Sequence, residues 1–242
     1  MQRSLVEKPD SLSIRIRPGG FSLFVYGENN HLISQRTLTT DLLYANTAGI
    51  LDRQAEINRP YKKTAIVCET DFYTIVPDVF NEPGAYRTLL KLQHPTVDEQ
   101  QGIFFERLPK AILIYALPRI FVQNMQARMP DAGFYTHLMY PVKKASELSG
   151  ELLLIYLRDK KVDFCWFSRK NLQYYNTFEY ETQEDVVYHC LHLIEQLDLD
   201  TMRTRIQFIG DETKIRPDQL LQAYLPQVTF IPHTVEYENY QW

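Results

Sequence analysis

Two short turns and one strand end carry residue types that could bind a phosphate group. The first turn contains Gly19 and Gly20, whose lack of a side chain would let backbone amides approach an anion closely. The second turn contains Asp159, whose carboxylate could position a metal ion and a water molecule. Gly210 follows an apolar strand, where the absence of a side chain permits close approach of a ligand. These four residues would form a cofactor-binding set only if the protein binds a phosphate-containing cofactor, and no catalytic residue is predicted.

Other reaction chemistries have weaker support. The phosphate-loop, dinucleotide, serine-hydrolase and zinc-protease motifs do not occur in the sequence. His189 and His192 lie three residues apart on a predicted helix, but they have no cysteine or carboxylate partner nearby, so we interpret them as packing residues. Glu69, Asp71 and Asp159 do not match the clustered carboxylates of a two-metal nuclease. We therefore predict no metal and no cofactor.

Composition restricts the class of protein further. The chain has 242 residues, of which 45% are hydrophobic, which suffices for one large or two ordinary domains. A net charge of −4 without a basic block argues against a nucleic-acid surface. The three cysteines lie in apolar stretches without CxxC spacing, which predicts reduced thiols in a cytoplasmic protein. The apolar runs 111–117 and 152–157 are far shorter than the ~20 residues of a membrane helix, so no membrane span is expected.

An internal repeat is the main evidence for the fold. Segment 12–70 predicts three strands with alternating hydrophobicity, a helical stretch over 41–58 and a closing buried strand. Segment 152–211 predicts the same five elements in the same order, and corresponding positions lie about 140 residues apart. The helix of the second segment should begin after Thr182, with Asp185 completing a capping box. Its apolar stripe is predicted to consist of Val187, Cys190, Leu191, Ile194 and Leu197.

Each segment should form an antiparallel meander whose last strand returns in parallel through a helical crossover. Two such halves facing each other would leave a cleft, with both strand-1/strand-2 turns pointing into it. This architecture resembles that of the actin-like, ribonuclease-H-like ATPases, such as sugar kinases, chaperone ATPases and bacterial actins. We therefore predict an α/β fold with duplicated βββαβ ribonuclease-H-like halves.

The predicted domain division follows from the repeat. Residues 1–150 form the first actin-like domain, with a core at 12–70 and a small α/β insert at 71–150, and residues 151–242 form the second. The insert and the C-terminal part are predicted to contain strands 72–77, 102–107, 111–117, 134–140 and 227–231 and helices 83–92, 119–128 and 217–224. The acidic and aromatic ending, 235–242, is interpreted as a strap docked on the body, with a partner-binding tail as the alternative.

The candidate turns depart from the pattern of the ATPases that they resemble. Arg17 stands where the first turn would have an aspartate, and Pro18 removes a backbone amide. Tyr156 occupies about the position of the second aspartate, and the second turn has no glycine. Asp211 replaces the second glycine of the adenosine signature, and its charge would repel phosphate groups. ATP hydrolysis is therefore disfavoured.

Asp163 lies on the strand that follows the second turn. It could match a position that is often acidic in these ATPases. Because its strand alternates between apolar and polar residues, we instead predict that Asp163 faces outward.

The residues also resemble a more specific family. The block 152–200, with IQFIGD after it, is similar to an uncharacterised family of Bacteroidetes proteins, a domain of unknown function with an actin-like ATPase fold. The opening SLSIRIRPGGFSLFVY matches the first strands of the same family, so the resemblance covers essentially the whole chain. Its most specific part is Asn176-Thr177-Phe178 followed by 184–188. The family implies no activity, ligand or catalytic residue, and it resembles more loosely the cytoplasmic assembly ATPases of pilus and secretion machinery.

We predict a non-catalytic actin-like scaffold that acts in the cytoplasm through an unidentified protein partner, without nucleic acid. The alternative is a divergent nucleotide-binding ATPase or kinase that uses Gly19, Gly20, Asp159 and Gly210 in the cleft. A third hypothesis is that the cleft senses a small ligand.

Overall fold

The chain divides into two compact units. The computed structural model describes residues 9–27, 31–40, 47–211 and 213–232. The division falls between His137 and Leu138. Segment 138–150, which the sequence predicts as the end of the first domain, therefore belongs by its contacts to the second unit.

The first unit contains a mixed sheet and a smaller antiparallel sheet. Its strands are β1 (Pro9–Arg17), β2 (Gly20–Gly27), β3 (Leu32–Leu38), β4 (Lys63–Cys68), β5 (Tyr73–Pro77), β6 (Gln101–Leu108), β7 (Ala111–Pro118) and β8 (Gly133–Thr136), and its helices are α1 (Thr47–Leu51), α2 (Tyr86–Gln93) and α3 (Arg119–Arg128). The mixed sheet has the order β3-β2-β1-β4-β8, with an antiparallel meander followed by two parallel strands. The smaller sheet, β5-β7-β6, forms the insert, and α2 packs on it through Tyr86 and Leu90.

The second unit repeats the strand order of the first. Its elements are α4 (Met139–Glu147), β9 (Glu151–Leu157), β10 (Lys161–Ser168), β11 (Asn171–Glu179), α5 (Gln183–Gln196), β12 (Thr204–Gly210), α6 (Pro217–Leu221) and β13 (Thr229–Pro232). The sheet order is β11-β10-β9-β12-β13, and each pairing direction matches that of the first unit. The predicted duplication is confirmed. Each sheet also has a fifth strand, β8 or β13, which pairs in parallel with the fourth strand of its repeat.

Helix α5 begins where the sequence predicts. Thr182 Oγ1 accepts a hydrogen bond from the backbone amide of Asp185 at 3.3 Å, and Asp185 Oδ2 accepts one from the amide of Thr182 at 2.8 Å. This capping box satisfies amide groups that a helix start leaves without partners. All residues of the predicted stripe pack in the core of the second unit, with Cys190 fully buried and the others partly buried. Val186 and Leu193, which the prediction omitted, are buried there as well.

Two predicted elements differ from the structure. Of the predicted helix 41–58, residues 41–46 lie outside the described residues, and α1 ends at Leu51. After α1, Asn58 donates hydrogen bonds to backbone carbonyls of Asp52 and Gln54, which favours turns over continued helix.

The predicted strand 134–140 is also wrong in its second half. Strand β8 ends at Thr136, and α4 begins at Met139. Pro141 lies in the first turn of α4, where a missing amide costs no intrahelical hydrogen bond.

Strands β1 and β2 are buried on both faces. The alternating pattern predicts half-buried strands, yet Ser11, Ser13 and Arg15 are as buried as the apolar residues between them. All residues of β2 are buried as well. Burial of the Arg15 charge requires an internal partner, which Glu69 provides. The hydroxyls of Ser11 and Ser13 are buried without a hydrogen-bond partner among the described residues.

The cysteines behave as predicted. Cys68, Cys165 and Cys190 are buried free thiols. Burial raises the pKa of Cys190 to about 12, which keeps this thiol protonated. Among the residues that the structure describes, no helix has the length and apolar character needed to cross a membrane.

The insert contains a carboxyl group in a partly buried position. Burial raises the pKa of Glu106, on β6, to about 7. The charge of Glu106 contributes, after burial, to the raised pKa of Tyr135. An unfolded chain releases this proton near the ordinary glutamate pKa, whereas the folded chain keeps it up to about pH 7.

We expect Glu106→Gln to weaken the pH dependence of stability. In the wild type, the free energy of unfolding should fall as the pH rises from about 4.5 to about 7, because only the unfolded state loses the proton in that window. After allowance for partial exposure, the variant should be about 1 kcal/mol more stable than the wild type at pH 8. Urea denaturation at a series of pH values measures this difference. Glu99→Gln, at an exposed side chain, serves as the control. If the free energy of unfolding changes equally with pH in the wild type and in Glu106→Gln, the expectation is wrong.

Candidate functional site

The two hairpin turns of the candidate site have the same backbone geometry. A two-residue loop, 18–19, joins β1 to β2, and the loop 159–160 joins β9 to β10 in the same way. The second loop residue is left-handed in both, with φ of 76° at Gly19 and 60° at Lys160. A side chain in this conformation costs about 1 kcal/mol, so the second turn keeps the backbone of the first without its glycine.

Each candidate glycine has a structural cause. A Cβ atom on Gly20 would lie 2.5 Å from the carbonyl oxygen of Leu38, and one on Gly210 would lie 2.9 Å from Cβ of Leu157. Close packing of neighbouring strands therefore requires both glycines. Gly19 has nothing within 4 Å of its Cβ position, and its positive φ accounts for the glycine.

The charged residues of the second turn lie in surface ion pairs. Lys214 Nζ is 3.7 Å from Asp159 Oδ1, and both side chains are more than half exposed. Lys160 Nζ donates to Glu181 Oε2 at 2.8 Å. Because β9 and β12 run parallel, Asp159 and Gly210 lie at the same end of the second sheet. Gly19 and Gly20 adjoin each other in the first unit.

Beneath the second turn, an arginine neutralises the only carboxylate that the described part of β10 carries. Arg158 Nε donates to Asp163 Oδ2 at 2.7 Å, and its Nη2 donates to Asp163 Oδ1 at 2.9 Å. Asp163 Oδ1 also accepts from the Tyr175 hydroxyl at 2.8 Å and the Thr177 hydroxyl at 2.6 Å. Asp163 is fully buried and Arg158 is 6% exposed. The carboxylate is thus engaged by donors from two neighbouring segments.

A second buried ion pair lies in the first unit. Arg15, near the end of β1, donates from Nε to Glu69 Oε1 at 2.9 Å. Glu69 follows the last residue of β4, and its backbone amide donates to Ile16 O at 2.8 Å. Both side chains of the pair are less than 5% exposed. This contact ties the end of β4 to its neighbour β1.

These contacts determine what the strand ends can do chemically. A carboxylate that binds a metal ion or orients water needs oxygen lone pairs directed at its ligand. In Asp163 both oxygens already accept from an arginine, and in Glu69 one oxygen does. Releasing either carboxylate would leave a buried guanidinium without its counter-charge, which is costly. The arrangement therefore favours structural cohesion over ligand exchange at both acids.

The prediction that Asp163 faces outward is wrong. Its carboxylate is fully buried and accepts hydrogen bonds from Arg158, Tyr175 and Thr177. The alternation of β10 fails as a guide because the strand is central and covered on both sides. No sequence pattern identified Arg158 or Arg15 as a partner of a buried acid. Each hairpin contains several charged residues, so their presence alone did not indicate which of them would be buried.

The histidine pair of α5 is engaged in ring contacts. His189 stacks on Phe178 at a centroid distance of 4.4 Å, and His192 stacks on Tyr188 at 5.9 Å. These contacts agree with the packing interpretation. Within the described residues, no group of three or more histidine, cysteine or acidic side chains is placed to hold a metal ion.

We expect the Arg158–Asp163 contact to contribute strongly to stability. Arg158→Leu or Asp163→Leu alone should lower the free energy of unfolding by about 3–5 kcal/mol, because each leaves a buried charge unpaired. The double variant should lose less than the sum of the two, since it removes both charges. Urea denaturation of the four proteins gives the coupling energy.

A matched cycle on the exposed pair Lys160 and Glu181 provides the control, with expected costs below about 1 kcal/mol. If single variants at Arg158 and Asp163 lower the free energy of unfolding by no more than the control variants do, the buried pair does not stabilise the fold.

Comparisons with solved structures support the fold. A Bacteroides thetaiotaomicron protein with an actin-like ATPase fold and unknown function superposes with a TM-score of 0.76 at 21% identity, over 96% of this chain and 94% of that one. The PilM-PilN type IV pilus biogenesis complex gives a TM-score of 0.58 at 9% identity, over 92% and 88% of the two chains. The ethanolamine utilization protein EutJ from Carboxydothermus hydrogenoformans gives 0.50 at 7% identity, over 93% and 85%. The chain therefore has the actin-like ATPase fold.

Comparisons of sequence assign the family. No curated protein matches the chain in sequence. The family described as "Protein of unknown function (DUF3822)" matches residues 5–228, which agrees with the resemblance of the opening strands and of the block 152–200. Because this match spans most of the 242 residues, the chain belongs to the DUF3822 family of proteins of unknown function.

Proposed function

We propose that this protein is a non-catalytic actin-like scaffold that acts in the cytoplasm by binding another protein. One observation carries this function: the buried acid beneath the second turn, Asp163, is neutralised by Arg158 through two hydrogen bonds. An actin-like ATPase needs an acidic group near the phosphates to position metal and water. A carboxylate committed to a buried guanidinium is poorly suited to that task.

The turns themselves support the same function. A phosphate-binding turn offers converging backbone amides with little side-chain bulk. The second turn instead carries Asp159 and Lys160, both in surface ion pairs. In the first turn, Gly20 is required by the approach of Leu38 O, so its presence needs no ligand.

A structural neighbour is consistent with action through a partner. The PilM-PilN structure is a complex for type IV pilus biogenesis, so a protein of similar fold takes part in an assembly there. The likeness is one of fold alone, at 9% identity. It supports a partner-binding role without identifying the partner.

The competing function is that of a divergent nucleotide-binding ATPase or kinase using Gly19, Gly20, Asp159 and Gly210. The open space around Gly19 favours this alternative, because nothing lies within 4 Å of its Cβ position. A backbone amide there could be approached by an anion.

A titration with Mg-ATP separates the two functions. We expect the melting temperature to change by less than about 1 °C at millimolar Mg-ATP, because a ligand stabilises only the state that it binds. A rise of several degrees that Asp159→Ala abolishes and Asp131→Ala retains would establish the nucleotide-binding alternative instead. Both aspartates lie at exposed positions, so neither substitution should impair folding.

The partner-binding role predicts a nucleotide-independent complex. When the tagged chain is purified from the cells that encode it, a second protein should co-elute in a constant ratio during size-exclusion chromatography. Mg-ATP and Asp159→Ala should leave this ratio unchanged. Elution of the chain alone, or release of the second protein by Mg-ATP, would contradict the scaffold function.

A further inference from the structure

A groove in the second unit lies away from the turn that holds Asp159. It has a volume of about 500 Å³ and is lined by Lys144, Leu148, Leu152, Arg205, Gln207, Gln227, Thr229 and Ile231. It is bounded by α4 and by the starting ends of β9, β12 and β13. Asp159 follows the opposite end of β9, about 23 Å from Leu152 along an extended strand. Its volume is in the range of about 300–1,000 Å³ that is usual for small-molecule sites.

The charge of the groove is positive. Two of its lining residues are cationic and none is acidic. Lys144 Nζ contacts Glu147 Oε2 at 3.2 Å, so its charge is partly compensated. Arg205 forms no ion pair within the described ranges, and the adjacent acid, Glu151, accepts a hydrogen bond from Thr204 instead. Arg205 thus offers a planar guanidinium suited to two parallel hydrogen bonds with a carboxylate.

An amide group lies beside Arg205 in the groove wall. Gln207 donates one N–H of Nε2 to Thr229 Oγ1 at 3.3 Å. A side-chain amide nitrogen carries two N–H donors, so the second one can donate to an anion beside Arg205.

The remaining wall is apolar. Leu148, Leu152 and Ile231 contribute aliphatic surface next to the polar groups. Such a surface favours a ligand with a hydrocarbon segment, because burial of each methylene contributes about 0.8 kcal/mol. We propose that this groove binds a small amphipathic carboxylate, with the carboxylate on Arg205 and Gln207 and the aliphatic chain on the leucines and Ile231.

Octanoate is a suitable probe. Isothermal titration calorimetry of the full chain should give saturable binding of octanoate, at least tenfold weaker binding to Arg205→Gln, and unchanged binding to Arg203→Gln. Arg203 is the matched control because it is 85% exposed and does not line the groove. Octanol and butanoate, which lack the charge and the longer chain respectively, should bind the wild type at least tenfold more weakly than octanoate.

Three results would overturn the assignment: no saturable binding of octanoate to the wild type, equal affinity in Arg205→Gln, or equal losses in both arginine variants. Circular dichroism of Arg205→Gln verifies that the exposed substitution leaves the fold intact. The measurement is independent of the scaffold function, since it reads ligand binding without a protein partner.

Discussion

A buried guanidinium and a buried carboxylate must stay together, because separating them would leave two charges in a medium that solvates them poorly. The Arg158–Asp163 pair imposes this constraint on the second unit. Tyr175 and Thr177 on β11 donate to the same carboxylate, and Tyr180 donates to the backbone oxygen of Arg158 at 2.7 Å. One polar cluster therefore holds the turn and its three-stranded meander in register.

The first unit reaches the same strand order by a different polar contact. Arg15 lies within β1 and binds an acid at the end of β4, whereas Arg158 follows β9 and binds an acid on β10. The duplication thus extends to backbone path and to the left-handed residue of each turn, but not to the buried ion pairs. Backbone geometry is repeated because strand pairing and twist restrict it, while several polar arrangements can neutralise a buried charge.

The predictive power of the sequence varies with the range of the interactions involved. The capping box of Thr182 and Asp185 was predictable because its partners are three residues apart. The helix expected over 41–58 was overextended, since side-chain hydrogen bonds of Asn58 compete with helical ones. At the candidate site, the turns were located correctly, but the orientation of Asp163 was not. Alternation indicates two faces of a strand and cannot tell whether one of them meets solvent.

By itself, the sequence determined the order of elements within the two repeats, their duplication and the chemical character of the two turns, because periodicity and turn residues are local properties of the chain. Only the tertiary structure decided that Asp163 is enclosed with Arg158, that Gly20 and Gly210 are demanded by neighbouring strands, and that Arg205 lines a groove with aliphatic residues. These features depend on residues brought together from separate strands. The spacing of those residues in the chain does not indicate which face of a strand other elements will bury.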